Sequence, residues 1–333
     1  MAPQSPQAPT SLLRRHTQRV ALATLITTIL IAPGALMAEG TSASKPPAPF
    51  NARKASSTAL KAAPKITGKP IKLDALAVQD KSSKQFRFDG EELYFGVEVS
   101  GSDAARASLR VGKRQTARGV TFVPVSGNAI THGFFAKSYP ADNKADTFIN
   151  IDTLQPIKAD KVIKEKDESR TYKVRYDPKT FNAAVEKTLS KDKKSRKNNY
   201  DKPVPASIHD GISWLYELRL EPLKNGDVYT YYIYDGWKLS RFKVTVVGRE
   251  KAWTPIKEYK AVKVDIERTI LNSAWPKGSK NRTTPQLTER EKPYYFSSIH
   301  LSDDAQRLPV RIFITTKTAD ADLKLVKIVE AAK

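Results

Sequence analysis

The sequence contains no cysteine among its 333 residues. Disulfide bonds, thiolate metal sites, thiol nucleophiles and thiol redox exchange are therefore excluded. There is also no cysteine that could carry the lipid of a bacterial lipoprotein. In an oxidising compartment, the stability of this protein has to come from side-chain burial without covalent crosslinks.

Histidine is scarce too, with four in the chain. Beyond the first forty residues there are His132, His209 and His300, and none has a partner at a metal-ligand spacing such as HExxH. Acidic calcium loops, the phosphate loops GxxxxGK[ST] and GxGxxG, and the nucleophile elbow GxSxG are absent as well. These absences predict a protein without a metal, a cofactor or an enzymatic activity.

Two groups of residues nevertheless have the residue types of a catalytic site. Ser207, His209 and Asp210 resemble a triad, but neighbours this close in sequence rarely meet in triad geometry. Asp303 begins an Asp-Asp pair near His300, and such pairs are more typical of a turn cap than of acid–base catalysis. We interpret both groups as structural and keep a hydrolase that uses His209 or His300 as a third hypothesis.

Long apolar runs are missing except for residues 20–32. Arginines precede this run, and Pro33, Gly34 and a small-residue stretch ending at Ala38 follow it, which is the order of a secretory signal peptide. Thirteen residues rise about 20 Å as a helix, less than the roughly 30 Å of a bilayer core. We predict that residues 1–38 are a signal peptide cut after Ala38, which leaves a periplasmic protein without a stable transmembrane span. An uncleaved anchor is the alternative.

Acidic residues are few, with 35 Asp and Glu against 57 Lys and Arg. The predicted signal contains three of the basic residues and no acidic one, so its removal leaves a net charge of +19. Such a charge favours polyanionic partners, which for an exported protein are anionic lipid, lipopolysaccharide and acidic wall polymers. Nucleic acid is not expected there. Solubility alone is the other explanation for the charge.

The composition divides the remaining chain into two parts. Residues 39–80 are rich in Ala, Pro, Ser and Lys and have no apolar periodicity, which predicts a disordered linker. Residues 81–333 contain repeated alternation of apolar and polar side chains, which predicts one β domain.

The alternation predicts strands with one buried face. Long amphipathic helices between the strands are lacking, which disfavours α/β folds. We expect a mainly β fold, namely a strongly curved antiparallel sheet or an open or half barrel with one or two short helices. The apolar sets are Leu93, Phe95, Val97 and Val99; Phe242, Val244 and Val246; Val262, Val264 and Ile266; and Val310, Ile312 and Ile314.

Turns and helices have weaker signals. Lys224–Asp227 and Tyr234–Trp237 have the residues of hairpin turns, and two hairpins in a row predict a meander. Thr180–Leu189 predicts two helical turns. Ile208–Leu220 predicts a short helix that runs on into a strand.

Three polar segments predict loops that interrupt the sheet. Lys158–Lys166 and Lys187–Lys202 are rich in lysine, and Trp275–Pro293 is polar with several prolines. The charge run within Lys187–Lys202 predicts a solvated loop, with a dedicated anion site as the alternative.

Aromatic residues crowd into positions 214–237. On a strand, Tyr232 and Tyr234 share one face, while Tyr229, Tyr231 and Ile233 share the other. Core packing is one interpretation, and an apolar cleft in a curved sheet is the other. The cluster consists of Trp214, Tyr216, Tyr229, Tyr231, Tyr232, Tyr234 and Trp237.

Three segments carry a family resemblance. Asp210–Arg219, followed by Pro-Leu and a glycine, resembles the central motif of the DUF3108 family of exported bacterial proteins. The opening segment Phe88–Val97 and the closing segment Ile299–Ile312 agree with the same family in order and spacing. The resemblance covers about residues 86–330 and implies an envelope-associated β protein with no assigned activity and no catalytic residues.

The resemblance also makes Asp210, Arg219 and Asp303 recurrent polar positions. We interpret them as structural, because a buried arginine paired with a carboxylate can hold a curved sheet in place. The candidate structural or binding residues are Asp210, Trp214, Tyr216, Arg219, Tyr232, Tyr234, Trp237, Asp303 and Arg311.

Two functional hypotheses follow. The first is a non-enzymatic periplasmic protein whose curved sheet binds an apolar or amphipathic envelope component, such as lipid, lipopolysaccharide or a lipoprotein, with Lys and Arg at the rim meeting an anionic head. The second is a ligand-free envelope scaffold that contacts wall polymer or partner proteins through a basic face.

Overall fold

The computed structural model describes residues 85–191, 194–276, 284–315 and 319–330. The predicted signal peptide at 1–38 and the predicted linker at 39–80 lie outside the described residues.

The described chain forms seventeen strands and two short helices. The strands pair into a single sheet. Their bounds are β1 Glu92–Val99, β2 Ser102–Val111, β3 Gln115–Ala117, β4 Val120–Thr131, β5 Ala141–Asn150, β6 Pro156–Glu165, β7 Glu168–Asp177, β8 Asn182–Lys191, β9 Lys194–Pro203, β10 Ile208–His209, β11 Val228–Tyr234, β12 Leu239–Trp253, β13 Glu258–Ala274, β14 Gln286–Glu289, β15 Tyr294–Ser302, β16 Pro309–Thr315 and β17 Asp320–Val329; the helices are α1 Gly133–Ser138 and α2 Ser213–Leu218.

Strand order follows chain order almost throughout, as in a meander. From β11 the sheet runs through β12, β13, β15, β16 and β17, then continues through β1, β2 and β4 to β9. All pairings are antiparallel except the two-residue pairing of β10 with β11. The sheet curls until β9 comes close to β13. The fold is therefore mainly β, one strongly curved open sheet with two short helices in its described part, as expected.

The predicted strands are confirmed. Every residue of the four apolar sets is buried, and Leu93, Phe95 and Val97 are completely inaccessible. Outward positions of β1 are partly exposed and polar apart from Gly96. Period-two burial thus supplies most of the core, as the alternation indicates.

The loop predictions for the two Lys-rich segments were wrong. Residues 158–165 lie in β6, and residues 187–202 supply the end of β8 and all of β9 except its last residue, Pro203. These strands form because each is paired along its length, and outward charges are balanced across strands. Glu186 binds Lys173 at 3.3 Å and Lys197 at 2.8 Å.

The helix predicted at Thr180–Leu189 is also wrong, because residues 182–191 form β8. Asp177 accepts backbone hydrogen bonds from Lys179 and Thr180, which closes a tight turn between β7 and β8. Ala183 and Val185 then point into the core. Pairing on both sides overrides the helix propensity of this segment.

The remaining local predictions are partly right. Tyr234–Trp237 joins β11 to β12 as a hairpin, but Lys224–Asp227 is a turn that follows α2 rather than a strand. In Ile208–Leu220 the order is reversed, with β10 first and α2 second. Within the predicted loop at 275–293, residues 286–289 form β14, which pairs with β13.

The concave side of the sheet is filled by residues 210–220, which include α2 and which we call the inserted segment, and by the β11–β12 turn. All six residues of α2 are buried. Ile212 packs over Gly127 of β4, where an added Cβ would lie 3.2 Å from the Ile212 side chain. Gly236 packs equally closely on Val174 and Tyr172 of β7. The sheet therefore wraps around its own chain.

Candidate functional site

Most of the candidate aromatic residues belong to the core. Tyr216 and Tyr234 have no accessible surface, and Trp214 is 7% exposed. Trp214 lies edge-on to Phe242 at a centroid distance of 5.3 Å. These rings hold the inserted segment against the sheet and do not line an open apolar cleft.

Asp210 shapes the start of α2. Its Oδ1 accepts hydrogen bonds from the backbone N–H groups of Ile212 and Ser213, at 3.0 and 2.7 Å. Its Oδ2 accepts one from Thr147 on β5. The carboxylate thus joins the inserted segment to the sheet, because one side chain satisfies donors from both.

His209 lies between two other buried polar side chains. Its Nδ1 is 3.1 Å from Ser213 Oγ and its Nε2 is 3.1 Å from Glu217 Oε2. The three residues have a serine–histidine–carboxylate order, but each is at most 3% exposed. Ser207 is not part of this group. A substrate could not reach Ser213 in this arrangement. The three side chains instead hold α2 in place.

The predicted pairing of a buried arginine with a carboxylate is present at Arg219. Its partner is Glu91, and not Asp210 or Asp303. Its two terminal nitrogens donate to the Glu91 oxygens at 2.7 and 2.6 Å. The guanidinium also lies 3.9 Å from the centre of the Phe88 ring. With a side chain that has no accessible surface, Arg219 closes one end of the sheet.

Asp303 and Arg311 lie elsewhere. Asp303 binds Arg249 at 3.1 Å and Arg307 at 2.8 Å, and the hydrogen bonds from these arginines lower its pKa. Arg311 binds Asp322 with two hydrogen bonds across β16 and β17. The predicted turn cap is confirmed for the neighbouring Asp304, which accepts the backbone N–H of Arg307.

A pocket lies beside the inserted segment; it is partly open to solvent and has a cavity volume of about 20 Å³. Its walls include Thr147, Asp160, Lys161, Asp210 and Asp235. Burial lowers the pKa of Lys161, whose Nζ donates to the Asp235 carbonyl at 2.6 Å. The accessible part of the lining is mostly apolar, but the cavity has room for about one water molecule and is too small for an acyl chain.

The β11–β12 turn is fixed inside the sheet by hydrogen bonds to its carbonyl groups. Tyr176 Oη donates to the Tyr234 carbonyl at 2.8 Å, and Tyr200 Oη donates to the Gly236 carbonyl at 2.5 Å. The following residue, Trp237, is 45% exposed and remains at the surface. The turn is therefore a rigid support that presents one indole ring, while the preceding Tyr232 is half-buried.

Trp237 stands between two lysines. Lys187 Nζ, from β8, is 5.5 Å from the centre of the indole ring, and Lys238 Nζ is 5.4 Å from it. Both distances are in the range of cation–π contacts. The arrangement places two ammonium groups near one indole ring.

We call Lys187, Lys202, Lys238 and Arg290 the cationic seam, because they lie where β9 and the β11–β14 side of the curled sheet approach each other. Burial lowers the pKa of all three lysines. Arg170 lowers the pKa of Lys187 further, and Arg290 does so for Lys202.

Few carboxylates lie close to the seam. Glu168 raises the pKa of Lys187 slightly, and Glu291 and Asp235 do so for Lys238. Within the described part of the chain, however, none of the three lysines forms an ion pair. Positive charge that is half-buried and without an anionic partner favours the binding of an external anion.

The sequence indicated only part of this site. Trp237 is among the candidate residues from the sequence. Lys187 and Lys202 lie in the segment that the sequence predicts to be a solvated loop, with an anion site as the alternative. Their signal was the lysine density itself, while their positions depend on the pairing of β7, β8 and β9. Arg290 follows β14, a strand that the sequence pattern did not indicate.

Over 85–191, 194–276, 284–315 and 319–330 no group of three His, Asp or Glu side chains could hold a metal ion. Neither of the helices in these ranges has the length and apolar character needed to cross a bilayer.

Comparison with known proteins gives a family and distant fold relatives. The model of a protein family of unknown function, DUF3108, matches residues 92–326. No curated protein matches the sequence. A β-barrel-like protein of the domain of unknown function DUF1849 from Brucella abortus is similar in structure, with a TM-score of 0.42 and 9% identity over 73% of this chain and 98% of that one.

Two further solved structures are similar over most of their length. One is a protein inferred to be exported, with a YmcC-like fold, from Bacteroides fragilis, with a TM-score of 0.29 and 10% identity over 73% of this chain and 96% of that one. The other is inferred to be a lipoprotein, from Parabacteroides distasonis, with a TM-score of 0.29 and 12% identity over 75% of this chain and 100% of that one.

Proposed function

This chain belongs to the DUF3108 family of proteins of unknown function, and on that premise we propose that it is an exported, non-enzymatic envelope protein that binds an anionic amphiphile at the cationic seam. In this proposal the signal peptide is removed after Ala38 and the β domain acts in the periplasm. The ligand's anionic head meets the lysines, and its apolar part lies on Trp237.

The observation that carries the proposal is the pairing of Trp237 with Lys187 and Lys238. The indole is exposed on a rigid turn, and both ammonium groups lie within 5.5 Å of its ring centre. The negative charge of a phosphate or carboxylate placed there would offset the repulsion and desolvation that lower the lysine pKa values. Charge would speed the encounter, and the aromatic surface would add affinity.

The proposal differs from an apolar tunnel through the sheet. The concave side is occupied by α2 and by the β11–β12 turn, and the adjoining pocket is too small for an acyl chain. Recognition of a headgroup at the surface therefore agrees better with the geometry than burial of an acyl chain does. A hydrolase is disfavoured by the inaccessibility of His209 and Ser213.

Calorimetric titration with short-chain phosphatidylglycerol, below its micelle concentration, tests the proposal. We expect binding to the unmodified protein, and at least about tenfold weaker binding to the Lys187→Gln/Lys238→Gln variant, because it removes both charges from the indole surface. The Lys113→Gln/Lys243→Gln variant loses the same charge at exposed positions and should bind like the unmodified protein.

Matched titrations with zwitterionic phosphatidylcholine complete the test. Weaker binding of that lipid is expected, because it carries no net charge for the seam. Equal binding of the two lipids, or equal effects of the two lysine variants, would contradict a specific anion site.

A second candidate function rests on β9. This edge strand presents Lys194, Arg196 and Lys197 to solvent, which suits contact with an acidic wall polymer or an acidic partner. A purely electrostatic association of this kind should disappear near 0.5 M salt, where the Debye length falls to roughly 4 Å. Binding at the seam should persist in part, because Trp237 contributes an apolar contact.

A further inference from the structure

The hairpin that joins β12 to β13 ends in an unusual surface. Trp253 is 59% exposed and Ile256 is 41% exposed. Both side chains are large and apolar, and they lie three residues apart at the tip. Two such exposed residues on one tight turn mark a contact site more strongly than scattered apolar residues would.

The tip is rigid. Thr254 is buried, and its Oγ1 accepts hydrogen bonds from the backbone N–H groups of Ile256 and Lys257, at 3.2 and 3.3 Å. The same hydroxyl donates to the Lys257 carbonyl at 2.9 Å. Ala252 and Tyr259 are buried on the other face of the hairpin. Exposure of Trp253 and Ile256 is thus fixed by the backbone.

Lysines surround the apolar tip. Lys257 and Lys260 are exposed and form no ion pair within the described part of the chain. Lys324 Nζ lies 5.9 Å from the centre of the Trp253 ring, but it is paired with Glu98 at 2.9 Å and so does not add a free charge to the tip. Tryptophan beside lysine is the combination found where proteins meet the headgroup layer of a bilayer, with the indole at the boundary and the ammonium groups at the phosphates.

The tip is far from the cationic seam. β12 begins one residue after Lys238 and runs fifteen residues to Trp253, which corresponds to about 45 Å along the strand. A membrane contact at the tip would therefore leave the seam free.

We infer that the Trp253–Ile256 tip docks the protein onto an anionic bilayer surface, by inserting the two apolar side chains between headgroups while Lys257 and Lys260 bind lipid phosphates. This membrane contact is separate from the proposed ligand site and does not depend on it. Bilayer attachment of this kind increases with buried apolar area and with anionic lipid content.

Vesicle flotation tests the inference directly. The probe is vesicles of phosphatidylcholine mixed with phosphatidylglycerol. We expect the Trp253→Ala/Ile256→Ala variant to bind at least about tenfold less tightly than the unmodified protein. The matched control is Phe134→Ala, which removes an aromatic ring that is 71% exposed in α1, at the opposite end of the sheet. It should bind normally.

Depth of insertion gives a second readout. The chain has no cysteine, so Ile256→Cys and Phe134→Cys each provide one labelling position for a fluorophore. Lipids brominated in the acyl chains should quench the label at position 256 and leave that at position 134 unquenched. The Trp253→Ala/Ile256→Ala variant should keep the affinity of the unmodified protein for short-chain phosphatidylglycerol below its micelle concentration, which separates failure of the tip from failure of the seam.

Two results would overturn the inference. One is vesicle binding that is absent, or unchanged by the Trp253→Ala/Ile256→Ala substitutions. The other is equal quenching at positions 256 and 134. If the tip instead retains a protein partner while vesicles do not bind, the surface is a protein interface and the bilayer assignment is wrong.

Discussion

Arg219 and Glu91 form a two-point ion pair that joins residues 128 positions apart in the chain. Arg219 has no accessible side-chain surface, and its Nε donates to the Arg307 carbonyl at 3.0 Å. One guanidinium therefore connects α2, the start of β1 and the β15–β16 turn. The pair closes the end of the sheet opposite the cationic seam.

Substituting Glu91→Gln should destabilise the fold by about 3–5 kcal/mol, because it leaves a buried guanidinium without its counter-charge. Urea denaturation at neutral pH measures the free energy of unfolding. The matched control is Asp89→Asn, which removes the carboxylate charge from a two-point pair with Arg114 whose side chains are 37% and 45% exposed. The control should cost less than about 1 kcal/mol. Equal losses in the two variants would show that Arg219 is not a closing contact.

Gly236 tests the insertion of the β11–β12 turn. Its φ is +86°, and an added Cβ would lie 3.0 Å from Val174. We expect Gly236→Ala to destabilise the fold by about 2 kcal/mol or more, from backbone strain and crowding together. The control is Gly119→Ala, whose φ is also positive but where nothing lies within 4 Å. Thermal unfolding should rank Gly236→Ala as the less stable variant, and the reverse order would contradict the packed turn.

Glu165 makes the stability depend on pH. Burial raises the pKa of its carboxyl from 4.5 to about 7, while Arg170 opposes the shift. Because the folded-state pKa is the higher one, the stabilisation from this group is complete below about pH 4.5 and is lost as the pH rises through about 7. Relative to the unmodified protein, the unfolding free energy of Glu165→Gln should be higher by about 3 kcal/mol at pH 8 than at pH 4. Urea titrations at both pH values give the difference, and no change would mean that the carboxyl titrates normally.

Trp237 and Tyr234 should respond differently to truncation. Trp237→Ala removes a ring that is 45% exposed and should weaken phosphatidylglycerol binding at least about fivefold while the unfolding temperature stays nearly constant. Tyr234→Ala empties a fully buried position and should cost about 3–5 kcal/mol of stability. Calorimetry supplies both readouts. An unfolded Trp237→Ala variant would place that ring in the core instead of in a binding site.

The strands of the core were predictable because their apolar residues alternate, as Leu93, Phe95 and Val97 do. The strands β6 to β9 were not, because lysines occupy both faces and hide the alternation. Lys161 and Lys187 point inward, where Tyr172 lies under both ammonium groups at 4.7 and 5.3 Å. A residue pattern cannot distinguish such lysines from those of a solvated loop.

The candidate functional site was likewise predictable only in part. Trp237 could be proposed from local sequence, because an aromatic residue after an Asp-Gly turn is placed at a hairpin end. Its lysine partner Lys187 is fifty residues away, and the contact arises only once the sheet curls. The buried partner of Arg219 was equally unpredictable, since no spacing connects it to Glu91. The contacts that the sequence could not indicate are therefore those that depend on long-range strand pairing in the β-meander.

The most direct test of the central claim is native mass spectrometry of the protein purified from the periplasm, followed by solvent extraction of bound material. The account predicts an adduct of one anionic lipid per protein that is reduced in the Lys187→Gln/Lys238→Gln variant and retained in the Lys113→Gln/Lys243→Gln variant. A protein mass without any adduct, which also fails to take up added phospholipid and lipopolysaccharide, would contradict the seam as a ligand site.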